Sequence, residues 1–362
     1  YEIWFCDWSS DVCSSDLFCS ILGIFAFAIV LIFCTGARTV LAASAELILL
    51  HSGAPGSLYD VSTAEFSRRV NQKLPPPHRL TIIANQQLGD GLSLLDSVKN
   101  GRATLVLTSS AMVALSDSFG IFELPFLIRS RNQVRNIRPE LLGRFLEPEA
   151  AKKGLHILGV WESGFRQLTN DVAPIVHPKD MAGLKIALPP ANIWREKLLR
   201  AFGAEPVPMA SRALFDALQT RIVDGQEAPL AEIAALRLTA NQRHLALSDH
   251  LYSPAFLVTG AAQFEALPQA VREVIVSEAL AMEGWIQARA ASMESELLDT
   301  LDQRMELSHI DVEAFKSLSR PVYGEFVRAV PHGSKMVEIL QSLAPPAASG
   351  PEPERLTLKP PR

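Results

Sequence analysis

Cysteine is scarce, and it is placed where it does nothing for a folded domain. The 362-residue chain has four, Cys6, Cys13, Cys19 and Cys34. From residue 46 onward there is none, which excludes a disulfide, a thiol nucleophile and a thiolate metal site from that part. A basic excess is missing too: 34 Lys and Arg face 39 Asp and Glu, a net charge of -5. Such a balance offers a phosphate backbone nothing to grip, so nucleic acid is not an expected partner. Catalytic fingerprints are also absent. The chain carries no GxGxxG, Walker, GxSxG or HExxH motif, and its eight histidines show no ligand spacing. No cofactor, no metal site and no catalytic residue is therefore expected. An exported enzyme stays open as an alternative, because a triad is spatial and need not cluster in sequence. Internal repeats and a long Gly/Ser linker are missing as well.

One long apolar run is present, Leu17 to Ala37, and it carries no charge. Arg38 follows, then Ala43-Ser44-Ala45, a small-x-small pattern of the kind cleaved in exported proteins. Residues 18–45 are read as a signal peptide and the mature protein as periplasmic. An uncleaved anchor is the alternative, since the run approaches the ~18 residues that span a bilayer. The stretch Asp7 to Leu17 resembles the translation of a sequencing-adapter oligonucleotide, so residues 1–17 are read as a non-native leader. Residues 344–362 are rich in proline and expected to be disordered.

Between these ends, strand and helix patterns alternate. Glu46–His51, Arg79–Ala84 and Ala103–Thr108 are short apolar runs separated by helical stretches, which implies parallel pairing with right-handed crossovers. A helix over Arg131–Lys153 is expected to break at Pro139 and Pro148. Leu155–Trp161, Gly164–Thr169 and Leu184–Leu188 read as strands, Ile193–Phe202 and Ser211–Thr220 as helices, and Asp224-Gly225 as a turn. The longest helical pattern is Pro268–Met305, with an apolar stripe through Val271, Ile275, Met282 and Ile286. Val312–Val330 is a second helix, expected to kink at Pro321. The fold class is α/β.

Three segments carry a resemblance. They are Gly164-Phe165-Arg166-Gln167-Leu168-Thr169-Asn170 with Pro178-Lys179-Asp180-Met181-Ala182-Gly183-Leu184-Lys185-Ile186, then Phe202-Gly203-Ala204-Glu205-Pro206-Val207-Pro208-Met209, and then Ala217 to Glu227, ALQTRIVDGQE. Together they resemble the periplasmic receptors of TRAP transporters, the DctP-like or C4-dicarboxylate receptor family. The resemblance spans about Glu46 to Val330. It implies a two-lobed periplasmic-binding-protein fold with an interlobe ligand cleft and a long bridging helix. Lobe I would comprise 46–163 with 251–287, and lobe II 164–250 with 288–343. It also implies a small-molecule ligand, most simply an organic acid, captured by hinge closure and delivered to TRAP membrane subunits.

Within that resemblance Arg166 matches the residue that holds the ligand carboxylate, and a guanidinium suits this role because it pairs two-pronged with a carboxylate. His51 at the end of the first strand, Gln87 on the next strand-end loop, Trp194, Arg212 and Gln226 complete the candidate ligand-binding set; Gln86, Phe215, Arg195 and Arg221 are further candidates. The chain departs from the family pattern where Ala187 stands in place of an Arg, Ala228 of an Asn, Ala213 of a Glu and Ser211 of an aromatic residue. These departures open two alternatives: a receptor with an altered, non-carboxylate ligand, or one that has lost binding. A sensory protein on the same fold is a third.

Overall fold

Short apolar runs between amphipathic stretches favour strands sheltered by helices on both faces. That arrangement is seen in the computed structural model, which describes residues 46–84 and 91–344. The segments expected to be leader and signal peptide, all four cysteines, Gln86, Gln87 and the proline-rich tail from residue 345 lie outside the described residues.

The chain opens as β1 (Glu46–His51), α1 (Leu58–Lys73), β2 (Arg79–Ala84), α2 (Gly91–Lys99), β3 (Leu105–Thr108) and α3 (Ala111–Leu115). Both β2 and β3 pair with β1 in parallel, as the alternation predicts. A 3-10 segment, Asp117–Glu123, leads to α4 (Arg131–Arg135), a π-helical stretch Arg138–Leu146, and α5 (Glu147–Ala151). The helical backbone breaks at Asn136, ahead of Pro139, and runs on through Pro148, where it changes from π to α. Pro139 falls in the first turn of its segment, where the missing N–H has no intrahelical partner to lose.

Next come β4 (Leu155–Asn170), β5 (Lys185–Leu188), α6 (Ile193–Ala201), β6 (Glu205–Pro208), α7 (Ser211–Gln219), β7 (Gly225–Pro229) and α8 (Leu230–Ala235). The chain closes with β8 (His244–Gly260), α9 (Ala261–Glu265), α10 (Gln269–Asp302), β9 (Glu306–His309), α11 (Val312–Ala329) and α12 (Gly333–Ser342). The two strand runs expected at 155–161 and 164–169 are one strand. Asp224-Gly225 is the entry to β7, where the Asp224 carboxylate accepts from the Lys185 N–H at 2.8 Å. The helix continues through Pro321 without a break. The apolar face of Phe315, Val322 and Phe326, all buried, holds it against the core on both sides of the proline.

The nine strands among the described residues join one sheet, ordered β2-β1-β3-β8-β4-β7-β5-β6, with β9 on β8. Its two central strands, β4 and β8, have 16 and 17 residues and run antiparallel. The C-terminal part of β8 pairs with β3 and its N-terminal part with β9, while the C-terminal part of β4 pairs with β7. These two strands are therefore common to both halves. Leu49, Phe66, Trp161 and Ile275 pack on one face of the β1–β3 half, and Val106, Phe119, Phe122 and Phe256 on the other. The β5–β7 half is likewise flanked, by Leu168, Ile186, Phe202 and Phe315 and by Val223, Ile233, Leu245 and Met305.

Helix α10 spans 34 residues, about 50 Å at 1.5 Å per residue. Val271, Met282 and Ile286 pack with the first half, and Leu301 near its end packs with the second. It thus bridges both, as the resemblance implies. Helix α12 packs against the first half: Leu340 joins the Phe256 cluster and its carbonyl accepts from Gln133 Nε2 at 3.1 Å.

Candidate ligand cavity

Parallel strands end together, and the loops beyond their carboxyl ends frame a hollow. Here the ends of β1, β3, β5 and β6 meet β7 and α8 around a cavity of about 230 Å³. Ser52 and Ser109 face it from one half, Ala187 and Gln226 from the other, and Arg166 reaches it from the shared strand β4.

The backbone of β4 explains how Arg166 is aimed. Register shifts interrupt the β4–β8 pairing between Glu162 and Gly164 and again between Arg166 and Leu168, so Arg166 sits between two bulges. Bulges re-aim side chains and sharpen local twist. Gly164 has φ +127, a conformation that L side chains rarely adopt, and a Cβ there would stand 3.0 Å from Pro229.

Arg166 does not stand alone. Its Nε donates to a carboxylate oxygen of Glu227, one terminal nitrogen to the Glu227 carbonyl, and the other to Ser253 Oγ at 3.4 Å. Arg195, on α6, is buried and donates twice to Glu123, both at 2.8 Å. Its remaining terminal nitrogen forms an ion pair with Glu227 at 3.2 Å. Asn192 Nδ2 donates to the same Glu123 carboxylate at 2.9 Å and its Oδ1 caps α6. Two arginines thus share two buried carboxylates.

The electrostatics follow from this sharing. Burial on its own would raise the Glu227 carboxyl, yet Arg166 and Arg195 hold it below the usual glutamate value. His250 Nε2 lies 3.7 Å from Glu227, but burial pushes its pKa down to about 4, so near neutral pH it adds no positive charge. Glu232, on α8, lines the cavity, and its carboxyl makes no hydrogen bond or ion pair to any described residue. Burial pushes its carboxyl up to about 7, against the lowering influence of Arg166. Tyr59, on α1, also lines the cavity; burial raises its phenol, with Glu232 as a charged neighbour and Ser163 and Ser109 as hydrogen-bonding partners.

Several expected site residues lie along the cavity. Arg166 and Gln226 line the cavity, Gln226 Nε2 donating to Thr169 Oγ1 at 3.0 Å. Arg195, Ala187, Ala228 and Ser211 line it too. Others require correction. Trp194 is no wall of the cavity: it is sealed in the core, edge-on to Phe326 at 5.1 Å and packed against Gly120. One residue along a helix turns the side chain by about 100°, which sends Arg195 to the cavity and Trp194 away from it. By the same rotation Ser211 and Leu214 face the cavity from α7 while Arg212 points to solvent. Phe215 is exposed, and Arg221 lies on the surface near Asp171. His51 is fully buried one step behind Ser52 and Gly53. Its Nδ1 accepts from the Gly53 N–H at 3.2 Å and burial lowers its pKa, so it shapes the wall as a neutral ring. Gln87 lies outside the described residues.

Glu227, Glu123, Glu232 and Tyr59 were not among the sequence candidates. The signal for Glu227 was at hand, since it ends the third motif beside Gln226. The others are assembled from positions far apart in sequence.

Residues 50–329 match the model of a family described as "Bacterial extracellular solute-binding protein, family 7". The 2,3-diketo-L-gulonate-binding periplasmic protein of Escherichia coli K12 is 27% identical over 289 residues, covering 78% of this chain and 87% of that one. A TRAP periplasmic solute-binding protein from Polaromonas sp. JS666, solved with D-erythronate, superposes with a TM-score of 0.77 at 29% identity, covering 82% of this chain and 98% of that one. One from Bordetella bronchispeptica, with density assigned to pantoate, superposes with a TM-score of 0.77 at 25% identity, covering 83% and 99% of the two chains.

Proposed function

The chain belongs to family 7 of the bacterial extracellular solute-binding proteins, and on that premise we propose that it is the periplasmic receptor of a TRAP-type transporter, which captures a small organic acid and delivers it to membrane subunits. The observation that carries the reading is the position of Arg166. It reaches from a strand shared by both halves into a cavity framed by strand ends, where a guanidinium meets a ligand carboxylate in low dielectric.

Hinge closure follows from the shared strands. Residues 46–163 with 251–287 move as one lobe, with α12 packed on it, and 164–250 with the segment 288–311 as the other. The bulged centre of β4 is the place for the bend. A solute that touches both lobes is bound better by the closed form and shifts the population toward it. The protein binds and releases its solute and carries out no bond chemistry.

The reading is tested by thermal unfolding of the purified protein against mono- and dicarboxylates, sugar acids, amino acids and uncharged analogues. A solute at 100 times its dissociation constant stabilises the fold by about 2.7 kcal/mol, so a clear rise in midpoint is expected for at least one organic acid. A response confined to uncharged analogues would support the altered-ligand alternative. No response across the panel would contradict the receptor reading.

A further inference from the structure

The charges around the cavity identify what kind of organic acid fits. Arg166 and Arg195 supply two positive charges, and Glu123 and Glu227 cancel both. Ala187 and Ala228 add no donor. Glu232 then remains, a carboxyl facing the cavity with no hydrogen bond or ion pair to any described residue. A simple carboxylate would enter a cavity with no net positive charge and would leave the Glu232 carboxyl without a counter-charge.

Arg166 is still able to receive one end of a ligand. A guanidinium has five N–H donors, and three are engaged by the Glu227 carboxylate, the Glu227 carbonyl and Ser253. The two that remain lie one on each terminal nitrogen.

Resting on the receptor reading above, we propose that the solute is a zwitterion whose carboxylate binds the two remaining N–H groups of Arg166 and whose protonated amine pairs with Glu232. Each charge of such a solute meets its opposite, and the net charge of the cavity does not change. Burial holds the Glu232 carboxyl up to about 7 against the influence of Arg166; an ammonium group paired with it favours the ionised form.

The test is calorimetric titration at pH 8 with pairs that share a carbon skeleton and differ in the amine: alanine and lactate, serine and glycerate, glutamate and 2-hydroxyglutarate. In at least one pair the amino acid is expected to bind tenfold or more tighter than the hydroxy acid. Glu232→Gln should abolish that preference, and Glu232→Asp should retain most of it. A hydroxy acid that binds as well as its amino partner, or a preference that survives Glu232→Gln, overturns the zwitterion assignment and leaves the receptor reading standing. If neither member of any pair binds and the wider solute panel also fails, both fall together.

Discussion

Replacing Arg195 with leucine destabilises the folded protein by about 3–5 kcal/mol, the cost of stranding buried carboxylates when one partner of a buried ion pair is removed. The side chains of Arg195, Glu123 and Glu227 are all nearly inaccessible, at 2%, 4% and 0% exposure. Glu123 would lose both N–H donors from Arg195 and keep only Asn192, and Glu227 would lose one of its two cations. Leucine replaces the packing volume but not the charge. Urea unfolding followed by tryptophan fluorescence measures the effect. The surface pair Arg144–Glu140, more than half exposed on both sides, is the control: Arg144→Ala should cost no more than about 1 kcal/mol. Equal costs at the two positions would show that the buried network is not the support described above.

Arg166→Ala is expected to weaken solute binding by roughly 30-fold to several thousand-fold, corresponding to the about 2–5 kcal/mol lost when one member of a buried, hydrogen-bonded charge pair is truncated. The fold should suffer less than in the Arg195 variant, because Glu227 keeps Arg195 when Arg166 is gone. Arg166→Lys should fall between the two, since an ammonium keeps the charge but loses the two-pronged geometry. Calorimetric titration with the solute that gives the largest thermal shift reads the loss, and urea unfolding of the same variants separates it from a folding defect. An Arg166→Ala protein that binds as tightly as the parent would remove Arg166 from the site.

Much of the frame was legible in the sequence. Local periodicity was enough to read the three parallel strands at the start and the long helix α10. Strand β8 was not read, although it is one of the two strands common to both halves. It carries His250, Ser248 and Ser253 buried among apolar residues, so it lacks the alternation that marks a half-buried strand.

The site divides in the same way. Arg166, Gln226, Ala187 and Ala228 were placed through motif positions. Trp194 and Arg212 missed the cavity because a one-residue step on a helix changes the face, and sequence spacing alone did not fix which face turned inward. The pairing of Arg166 with Glu227 crosses 61 residues and that of Arg195 with Glu123 crosses 72. Such contacts exist only once the sheet has assembled, so the charge balance that isolates Glu232 was not readable beforehand.

The central claim is that a solute is enclosed where the strand ends meet, on Arg166. A crystal structure of the protein with the solute that most raises its melting point tests this most directly. The account predicts density inside the cavity, with a ligand oxygen about 3 Å from the terminal nitrogens of Arg166. A saturating solute found elsewhere on the protein, with the cavity free of it, would contradict the account.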